Sequence, residues 1–403
     1  MLDAEDVRAA RDRVAETARH TPLEYSHTFS EMTGAEVHLK LETFQRTGSF
    51  KIRGATNRIA TLSEADREAG IVTASAGNHA QGVALAASRL GVDSVVVMPE
   101  DAPVSKVEAT RDYGAEVVLH GVDYDEAAAR AREIEKEQGR YYLHAFDDWA
   151  VMAGQGTLGL EVVEDCPGVE TVVIPVGGGG LISGVATAVK DYDPEIRVVG
   201  VQAAGAASLP ESLERGERVT LDSVDTIADG IATRSVGERT FRVIQERVDE
   251  VVTVAEADIA VALTALLERS KTLVEGAGAV PLAALLTGAF EYDEDETVVP
   301  MLCGGNIDMN TLTTVVLRGL VETGRYLRLR TTLQDRPGAL EDLTEVISAH
   351  RANIYAIQHD RTSRNVALND AEVELALETR GPDHVDELTT AMEEAGYEVE
   401  ILL

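Results

Sequence analysis

Short apolar runs alternate with amphipathic segments along much of the chain. The first helix is predicted over residues 3–20, where Val7, Ala10 and Val14 recur on one face. The pattern then predicts strands over 71–74, 94–98, 117–120, 172–176 and 196–202, and helices over 80–90, 104–113, 125–138 and 181–190. Apolar strands that alternate with helices are typical of parallel sheets covered on both faces. The pattern therefore predicts an α/β fold.

The pattern changes near Arg325. Leu327, Leu329 and Leu333 alternate with polar residues, as in a half-buried antiparallel strand. The segments that follow are a helix over 339–350, a strand over 353–358, a long polar hairpin, a strand over 371–379, a helix over 383–394 and a strand over 397–402. This βαββαβ order predicts a ferredoxin-like unit. We therefore expect a boundary between domains 1–325 and 326–403.

The net charge of −34, from 70 acidic and 36 basic residues, argues against partners that are themselves anionic. Nucleic acid and anionic lipid would be repelled. Only six of the basic residues are lysine. A Lys-poor acidic chain resembles proteins of salt-loving organisms, where salt screens self-repulsion. An ordinary acidic protein is the alternative, although so large a charge destabilises a compact state at low salt.

Features of secreted or membrane proteins are missing from the sequence. Cys166 and Cys303 are too few for a disulfide framework and suit a reducing compartment. The acidic N-terminus lacks the basic and apolar regions of a signal peptide. The weakly polar run 276–290 contains Pro281 and falls short of the roughly 20 residues that span a bilayer. We expect a soluble, cytoplasmic protein with no membrane and no nucleic-acid partner.

The first candidate for chemistry is Lys51, in the segment RTGSFKIRG. It lies between Phe50 and Ile52, and a lysine desolvated by such neighbours has a lowered pKa and can form a Schiff base with a carbonyl. A surface lysine flanked by partly buried residues is the alternative.

A second segment, SAGNH, lies between a predicted strand and helix and comprises Ser75, Ala76, Gly77, Asn78 and His79. Small residues leave backbone N–H groups accessible there, and a helix N-terminus favours an anion such as a carboxylate. A helix cap made by Ser75 or Asn78 is the alternative.

A third segment contains four consecutive glycines, again between a predicted strand and helix. It comprises Gly177, Gly178, Gly179, Gly180 and Leu181. Glycines let the backbone approach a ligand closely, and the helix dipole favours an anion, which indicates a phosphate site. The spacing matches neither the dinucleotide fingerprint nor a P-loop. A flexible tight turn is the alternative.

A fourth loop follows the apolar strand 298–302 and begins with Cys303. It is typical of strand-end loops that line a site, although Cys303 could also be a small core residue. The nine histidines and two cysteines show no metal-ligand spacing, so we expect no metal site.

In their order and spacing, these four segments resemble the threonine dehydratase (threonine ammonia-lyase) family of tryptophan-synthase-β-like pyridoxal-phosphate enzymes, over about residues 13–325. The resemblance implies fold type II, with two parallel-sheet lobes, the smaller of about residues 48–150 inserted in the larger. It implies pyridoxal 5'-phosphate as cofactor and a homo-oligomer, dimer or tetramer. The C-terminal segment resembles an ACT domain, a type that commonly binds amino acids at dimer interfaces.

The resemblance also implies residue roles. Lys51 would hold the cofactor and later move the α-proton of the substrate. Phe50 and Glu275 would lie near the cofactor ring, and Cys303 near its pyridine nitrogen. Asn78 would contact the 3-oxygen, and Gly177 to Leu181 the phosphate. The loop from Ser75 to His79, which includes Ala76, would bind the substrate carboxylate. Many relatives have Ser or Thr where this chain has Cys303, and a thiol bonds more weakly. Glu275 could instead be only a helix-start residue.

The activity implied is removal of water and then ammonia from L-threonine, giving 2-oxobutanoate, with L-serine giving pyruvate. An effector such as isoleucine would act through the ACT-like domain; the sequence does not separate a biosynthetic from a degradative role. The first alternative is a serine racemase, whose second serine is replaced here by Ala76 and whose metal-binding carboxylates are missing from residues 202–208. The second is a non-catalytic amino-acid sensor, against which the intact Lys51 argues.

Overall fold

The chain folds into two compact units. The computed structural model describes residues 2–362, 367 and 369–402. The units are Met1–Leu312 and Thr313–Leu403, and the helix Met309–Glu322 contains the division. The predicted polar hairpin before residue 371 includes residues 363–366 and 368, which lie outside the described part.

Helices and strands are numbered in chain order. The helices are α1 (Ala4–Val14), α2 (His27–Thr33), α3 (Lys51–Ala60), α4 (Glu64–Ala69), α5 (Asn78–Leu90), α6 (Val104–Asp112), α7 (Tyr124–Gln138), α8 (Trp149–Asp165), α9 (Gly180–Tyr192), α10 (Leu209–Arg215), α11 (Glu238–Arg247), α12 (Glu256–Ala265), α13 (Gly276–Leu286), α14 (Met309–Glu322), α15 (Ala339–Ala349) and α16 (Pro382–Glu394). The strands are β1 (Leu23–Tyr25), β2 (Glu36–Leu41), β3 (Ile71–Ala74), β4 (Ser94–Met98), β5 (Glu116–Leu119), β6 (Tyr141–Tyr142), β7 (Thr171–Pro175), β8 (Arg197–Ala203), β9 (Glu250–Val254), β10 (Thr297–Leu302), β11 (Tyr326–Gln334), β12 (Asn353–Asp360), β13 (Asp370–Glu378) and β14 (Glu400–Ile401).

Two sheets form the framework of the first unit. The smaller sheet has the strand order β5-β4-β3-β6 and is parallel throughout. The larger has the order β1-β2-β10-β7-β8-β9, and only β1 is antiparallel to its neighbour. Every residue of β3, β4 and β7 is buried, as expected for parallel strands covered on both faces. The two predicted parallel-sheet lobes are confirmed.

The long helix α8 was not predicted from the sequence. It is buried almost all round, so it lacks the polar face that marks an amphipathic helix. Its glycines let other backbones come close: a Cβ on Gly154 would overlap the Arg53 carbonyl, and one on Gly156 would overlap that of Gly184. These contacts pack α8 tightly against α3 and α9.

The first helix is shorter than predicted, because α1 ends at Val14 rather than near residue 20. The chain turns there, with the Ala18 N–H donating to the Val14 carbonyl at 2.7 Å. Further along, the backbone bonds to side chains of other elements. The Arg19 carbonyl accepts hydrogen bonds from Gln45 Nε2 at 2.9 Å and from Arg53 Nη2 at 3.0 Å. Tertiary hydrogen bonds replace the last turns of the expected helix.

The second unit contains the predicted ferredoxin-like arrangement. Its antiparallel sheet has the order β12-β13-β11-β14, and α15 and α16 complete the βαββαβ sequence. Leu327, Leu329 and Leu333 of β11 point into the core, as their alternation predicted. The last strand, β14, covers only part of the predicted range 397–402. Among the described residues, no helix is both long and apolar enough to cross a bilayer.

Candidate active site

Lys51 begins α3, three residues after Gly48, which adopts φ +67°. Its Nζ donates to the Ala145 carbonyl at 3.2 Å and lies 5.2 Å from the centroid of the Phe50 ring. Burial lowers the pKa of Lys51 to about 8, and the nearby Cys303 and Glu275 oppose this shift only partly. The lowered pKa makes the unprotonated amine, which Schiff-base chemistry requires, far more accessible near neutral pH than it is for an exposed lysine.

The predicted carboxylate loop connects β3 to α5. Ser75, Ala76 and Gly77 follow the strand, and Asn78 is the first residue of the helix. The buried His79 has its pKa lowered to about 3, mainly because burial disfavours the imidazolium. His79 is therefore neutral at physiological pH, and the first N–H groups of α5 supply the attraction for an anion.

The Asn78 side chain is held at both ends of its amide. Its Nδ2 donates to Glu275 Oε1 at 2.7 Å, and its Oδ1 accepts from Asn306 Nδ2 at 2.7 Å. Burial raises the pKa of Glu275, although the hydrogen bond from Asn78 favours the carboxylate. Asn306 belongs to the strand-end loop that the sequence predicts to line a site, three residues after Cys303, but the sequence alone indicates no role for its side chain.

Glu275 begins a helix and also contacts another of the predicted site residues. It is the N-cap residue of α13, but its side chain makes no capping bond and reaches Asn78 instead. The Glu275 N–H donates to the Gly304 carbonyl at 3.0 Å. Glu275 is therefore fixed to the loop that contains Cys303.

Cys303 follows β10 and is buried, with 2% of its surface exposed. Its thiol donates to the Ala277 carbonyl at 3.7 Å. Burial raises the pKa of Cys303 well above its usual value, so the thiol stays neutral. The Cys303 carbonyl accepts from the Phe50 N–H at 3.2 Å, which places Phe50 and Lys51 against this loop.

The four-glycine loop joins β7 to α9, whose first residue is Gly180. Gly177 to Leu181 are all buried, and Gly179 adopts φ +89°, a conformation that favours glycine. A Cβ on Gly178 would overlap the ring of Phe146, which also lies against Gly180. The loop thus presents backbone at the N-terminus of a 13-residue helix, which is a cradle for a phosphate.

Sequence reasoning missed the segment that links these parts. Ala145 accepts from Lys51, and the next residue, Phe146, covers the glycine loop. The segment lies between β6 and α8 and contains no glycine motif, and its adjacent Asp147 and Asp148 are typical of a helix start. An aromatic side chain alone does not indicate such a role in a sequence.

The assembled donor set fits a phosphate-bearing aldehyde. Lys51 supplies an amine with a lowered pKa, the glycine loop supplies the phosphate cradle, and the start of α5 supplies an anion site for a substrate. The Ser49 hydroxyl, directly before Phe50, is buried without a hydrogen-bond partner in the described structure. Pyridoxal 5'-phosphate carries both the aldehyde and the phosphate that these groups suit.

Two positions bear on the racemase alternative. Ala76 has no hydroxyl. Gln202 is buried and holds the backbone, donating to the Val176 carbonyl at 3.2 Å and accepting from the Leu209 N–H at 2.8 Å. Within the described ranges, no group of three or more His, Cys, Asp or Glu side chains could hold a metal ion.

Known proteins are similar to the chain over its whole length. A family model described as "Pyridoxal-phosphate dependent enzyme" matches residues 14–304. An L-threonine ammonia-lyase of Geobacter sulfurreducens is 50% identical over 402 residues, covering 100% of both chains. The processed form of threonine deaminase isoform 2 from Solanum lycopersicum has TM-score 0.75 and 40% identity, covering 78% of this chain and 94% of that one. Maize serine racemase has TM-score 0.75 and 35% identity, covering 79% and 98%. The chain therefore belongs to the pyridoxal-phosphate dependent enzyme family, among its threonine ammonia-lyases (threonine dehydratases).

Proposed function

We propose that this protein deaminates L-threonine to 2-oxobutanoate and ammonia by α,β-elimination of water, and converts L-serine to pyruvate in the same way. The observation that carries the proposal is the position of Lys51. Its partly buried amine is fixed to the segment that covers the glycine loop, and it lies within electrostatic range of Glu275 and Cys303. An unprotonated amine beside a phosphate cradle and a carboxylate loop is what the reaction needs.

The cofactor, when bound, supplies an electron sink for the negative charge that develops on the substrate α-carbon. Lys51 would hold the cofactor through Nζ, and the same atom, once free, would accept the α-proton of the substrate. The N–H groups of Gly177 to Leu181 would hold the cofactor phosphate, and Phe50 would pack beside the ring. Asn78 would contact the 3-oxygen, and the neutral Cys303 thiol would lie near the pyridine nitrogen without adding charge.

The loop from Ser75 to His79 binds the substrate carboxylate. The start of α5 attracts the anion, while the neutral His79 adds a hydrogen-bonding ring without a competing charge. Ala76 offers no proton to the substrate face opposite Lys51. A proton removed by Lys51 is therefore not replaced from that face, and elimination is favoured over racemisation.

Serine racemase is the second candidate, and the similarity to the maize enzyme favours it. Product analysis after incubation with L-serine separates the two reactions. We expect pyruvate and ammonia in equal amounts and little D-serine, and a chromatogram dominated by D-serine would refute the lyase. Keto acid released from L-threonine tests the preferred substrate. A protein that binds no cofactor and releases no keto acid would instead be an amino-acid sensor.

We propose that the second unit is an ACT-like regulatory domain that binds an amino-acid effector in a dimer or tetramer. The helix α15 begins after Gly338, and its start carries no side-chain cap that would occupy its N–H groups. A carboxylate could bind there. Beside it, Arg336 pairs with Asp342 at 2.7 Å, which would place both signs of charge near a zwitterion. A domain that only holds the oligomer together is the alternative.

Effector binding alters catalysis only if the active and inactive arrangements bind the effector with different affinities. Isoleucine is the first effector to test, as the end product in a biosynthetic role, followed by valine and nucleotides. Truncation after Arg325 should leave an active enzyme that ignores the effector. An identical response of the truncated and full-length proteins would assign the second unit a structural role. We further propose that the enzyme works in the cytoplasm of a cell with high internal salt, since the net charge is −34.

A further inference from the structure

The carbonyl of Gly178, in the glycine loop, accepts hydrogen bonds from the N-terminus of α11. It accepts from Thr240 Oγ1 at 2.7 Å and from the Gly237 N–H at 3.1 Å. The peptide bond is planar and trans, so its C=O and N–H point in opposite directions. Fixing the Gly178 carbonyl towards α11 therefore directs the Gly179 N–H away from α11. The orientation of one donor of the phosphate cradle is set by Thr240.

The Thr240 side chain is buried, and its shortest hydrogen bond is the one to Gly178. Its hydroxyl also lies 3.3 Å from the Gly237 carbonyl in its own turn, but the bond to Gly178 is much shorter. The Thr240 carbonyl accepts from Ser183 Oγ of α9 at 3.3 Å. A Cβ on Gly179 would crowd the Thr240 side chain, so the loop lies directly against it. Thr240 thus contacts both the glycine loop and the helix that the loop begins.

The first turn of α11 is fixed in turn by Asp147. The Asp147 Oδ1 accepts from the N–H groups of Arg239 and Thr240 at 2.7 and 3.2 Å, and Oδ2 accepts from Glu238 at 3.2 Å. Arg239 Nη1 returns a bond to the Asp147 carbonyl at 2.7 Å. A carboxylate at a helix N-terminus is favourably placed for both hydrogen bonding and the helix dipole. Asp147 follows Phe146, which covers the same glycine loop.

We propose that Thr240 is a positioning residue for the cofactor phosphate, and that Asp147 supports it by capping α11. The Thr240 hydroxyl keeps the Gly178–Gly179 peptide in the orientation that leaves its N–H available to the phosphate. Without that hydroxyl the peptide loses its strongest side-chain restraint. Loss of the hydroxyl should therefore weaken binding of the cofactor phosphate and leave unchanged the attachment of the aldehyde end to Lys51. The inference rests on the cofactor site of the proposed function and is independent of which amino acid is the substrate.

The test compares two ligands that differ only in the phosphate. Full-length protein, freed of cofactor with hydroxylamine, is titrated with pyridoxal 5'-phosphate and with pyridoxal, and visible absorbance gives both dissociation constants. Thr240→Val removes the hydroxyl at constant shape, and Thr240→Ser retains it as the matched control. The ratio of the two constants measures the preference for the phosphate. We expect Thr240→Val to reduce this preference roughly 3- to 10-fold, the value of one neutral hydrogen bond.

Thr240→Ser should keep the wild-type preference, and Asp147→Ala should reduce it in the same direction as Thr240→Val. If Thr240→Val raises the dissociation constants of both ligands by the same factor, or raises neither, Thr240 is only structural and the inference is wrong. A wild-type protein that prefers pyridoxal 5'-phosphate by no measurable factor would overturn both the inference and the phosphate site of the proposed function. Circular dichroism of each variant establishes that the comparison is made between folded proteins.

Discussion

Arg53, two residues after Lys51, lies in a buried network of charges whose loss should destabilise the first unit. Its side chain is 1% exposed, and the guanidinium bonds to Glu42 at 2.8 and 2.9 Å and to Glu161 at 2.6 and 3.0 Å. Glu161 also contacts Lys40 Nζ at 2.9 Å. Arg53→Met would leave Glu161 paired with Lys40. Glu42 is fully buried and would keep the hydrogen bond from the Thr21 hydroxyl at 2.6 Å. No cation would replace the lost guanidinium beside it.

An uncompensated buried charge sets the magnitude of the effect. Breaking a buried pair by removing one partner costs about 3–5 kcal/mol, whereas an exposed pair contributes about 0–1 kcal/mol. We therefore expect Arg53→Met to lower the free energy of unfolding of the first unit by about 3–5 kcal/mol. Arg53→Met with Glu42→Leu should recover part of that loss, because the second substitution removes the unpaired carboxylate.

Trp149 provides the assay, because it is the only tryptophan and lies in the first unit at the start of α8. Urea titrations in molar KCl, followed by its fluorescence, report that unit separately from the second. Arg8→Met is the matched control, since Arg8 pairs with Asp191 but is 54% exposed. The reasoning is wrong if Arg53→Met is no more destabilising than Arg8→Met, or if the double variant is less stable than the single one.

Three further predictions concern the cofactor and the solvent. Lys51→Ala should fold yet lose the visible absorbance of the attached cofactor and nearly all keto-acid release; retained absorbance with normal turnover would contradict its role. The rate at which pyridoxal 5'-phosphate attaches to cofactor-free protein should rise with pH towards about 8, since only the unprotonated Lys51 amine reacts and its pKa is about 8; a stopped-flow profile with no dependence below pH 8 would exclude this. The melting temperature should rise between 0.1 and 1 M KCl, as the Debye length shrinks from roughly 10 to 3 Å; a flat or falling series would count against adaptation to high salt.

The sequence predicted the parts of the fold where periodicity and burial agree. Strands β3, β4 and β7 were predicted because a parallel strand buried on both faces appears as an unbroken apolar run. The helix α8 was missed for the converse reason, since a helix buried on almost all sides has no polar face to give a period. The glycines of α8, which weaken a helix in isolation, become favourable only when a second backbone packs against them.

In the candidate site, too, the residues that belong to a local sequence pattern were predictable and those defined by tertiary contacts were not. The segments beginning at Ser75, Gly177 and Cys303 each follow a parallel strand, where open α/β sheets bind ligands at the carboxyl ends of strands. Their motifs were therefore visible in the sequence. Phe146 and Thr240 act through contacts with backbone far away in the chain, and an aromatic ring or a hydroxyl is too common to indicate such a contact. The tertiary structure is what relates them to the glycine loop.

Two of the six lysines show how the surroundings of a buried amine decide its use. Lys40 Nζ is surrounded by the Thr21 carbonyl at 2.7 Å, Glu161 at 2.9 Å and Asp165 at 3.3 Å. Three acceptors around one atom suit a compact ammonium better than a planar guanidinium. Lys51 Nζ instead bonds to a carbonyl, while the nearby Glu275 carboxylate is engaged by Asn78. Burial without a carboxylate at bonding distance favours the free amine, and arginine, which stays protonated, could not replace lysine there. In a chain that otherwise uses arginine for most of its positive charge, both lysines are explained, one by geometry and one by its ability to lose a proton.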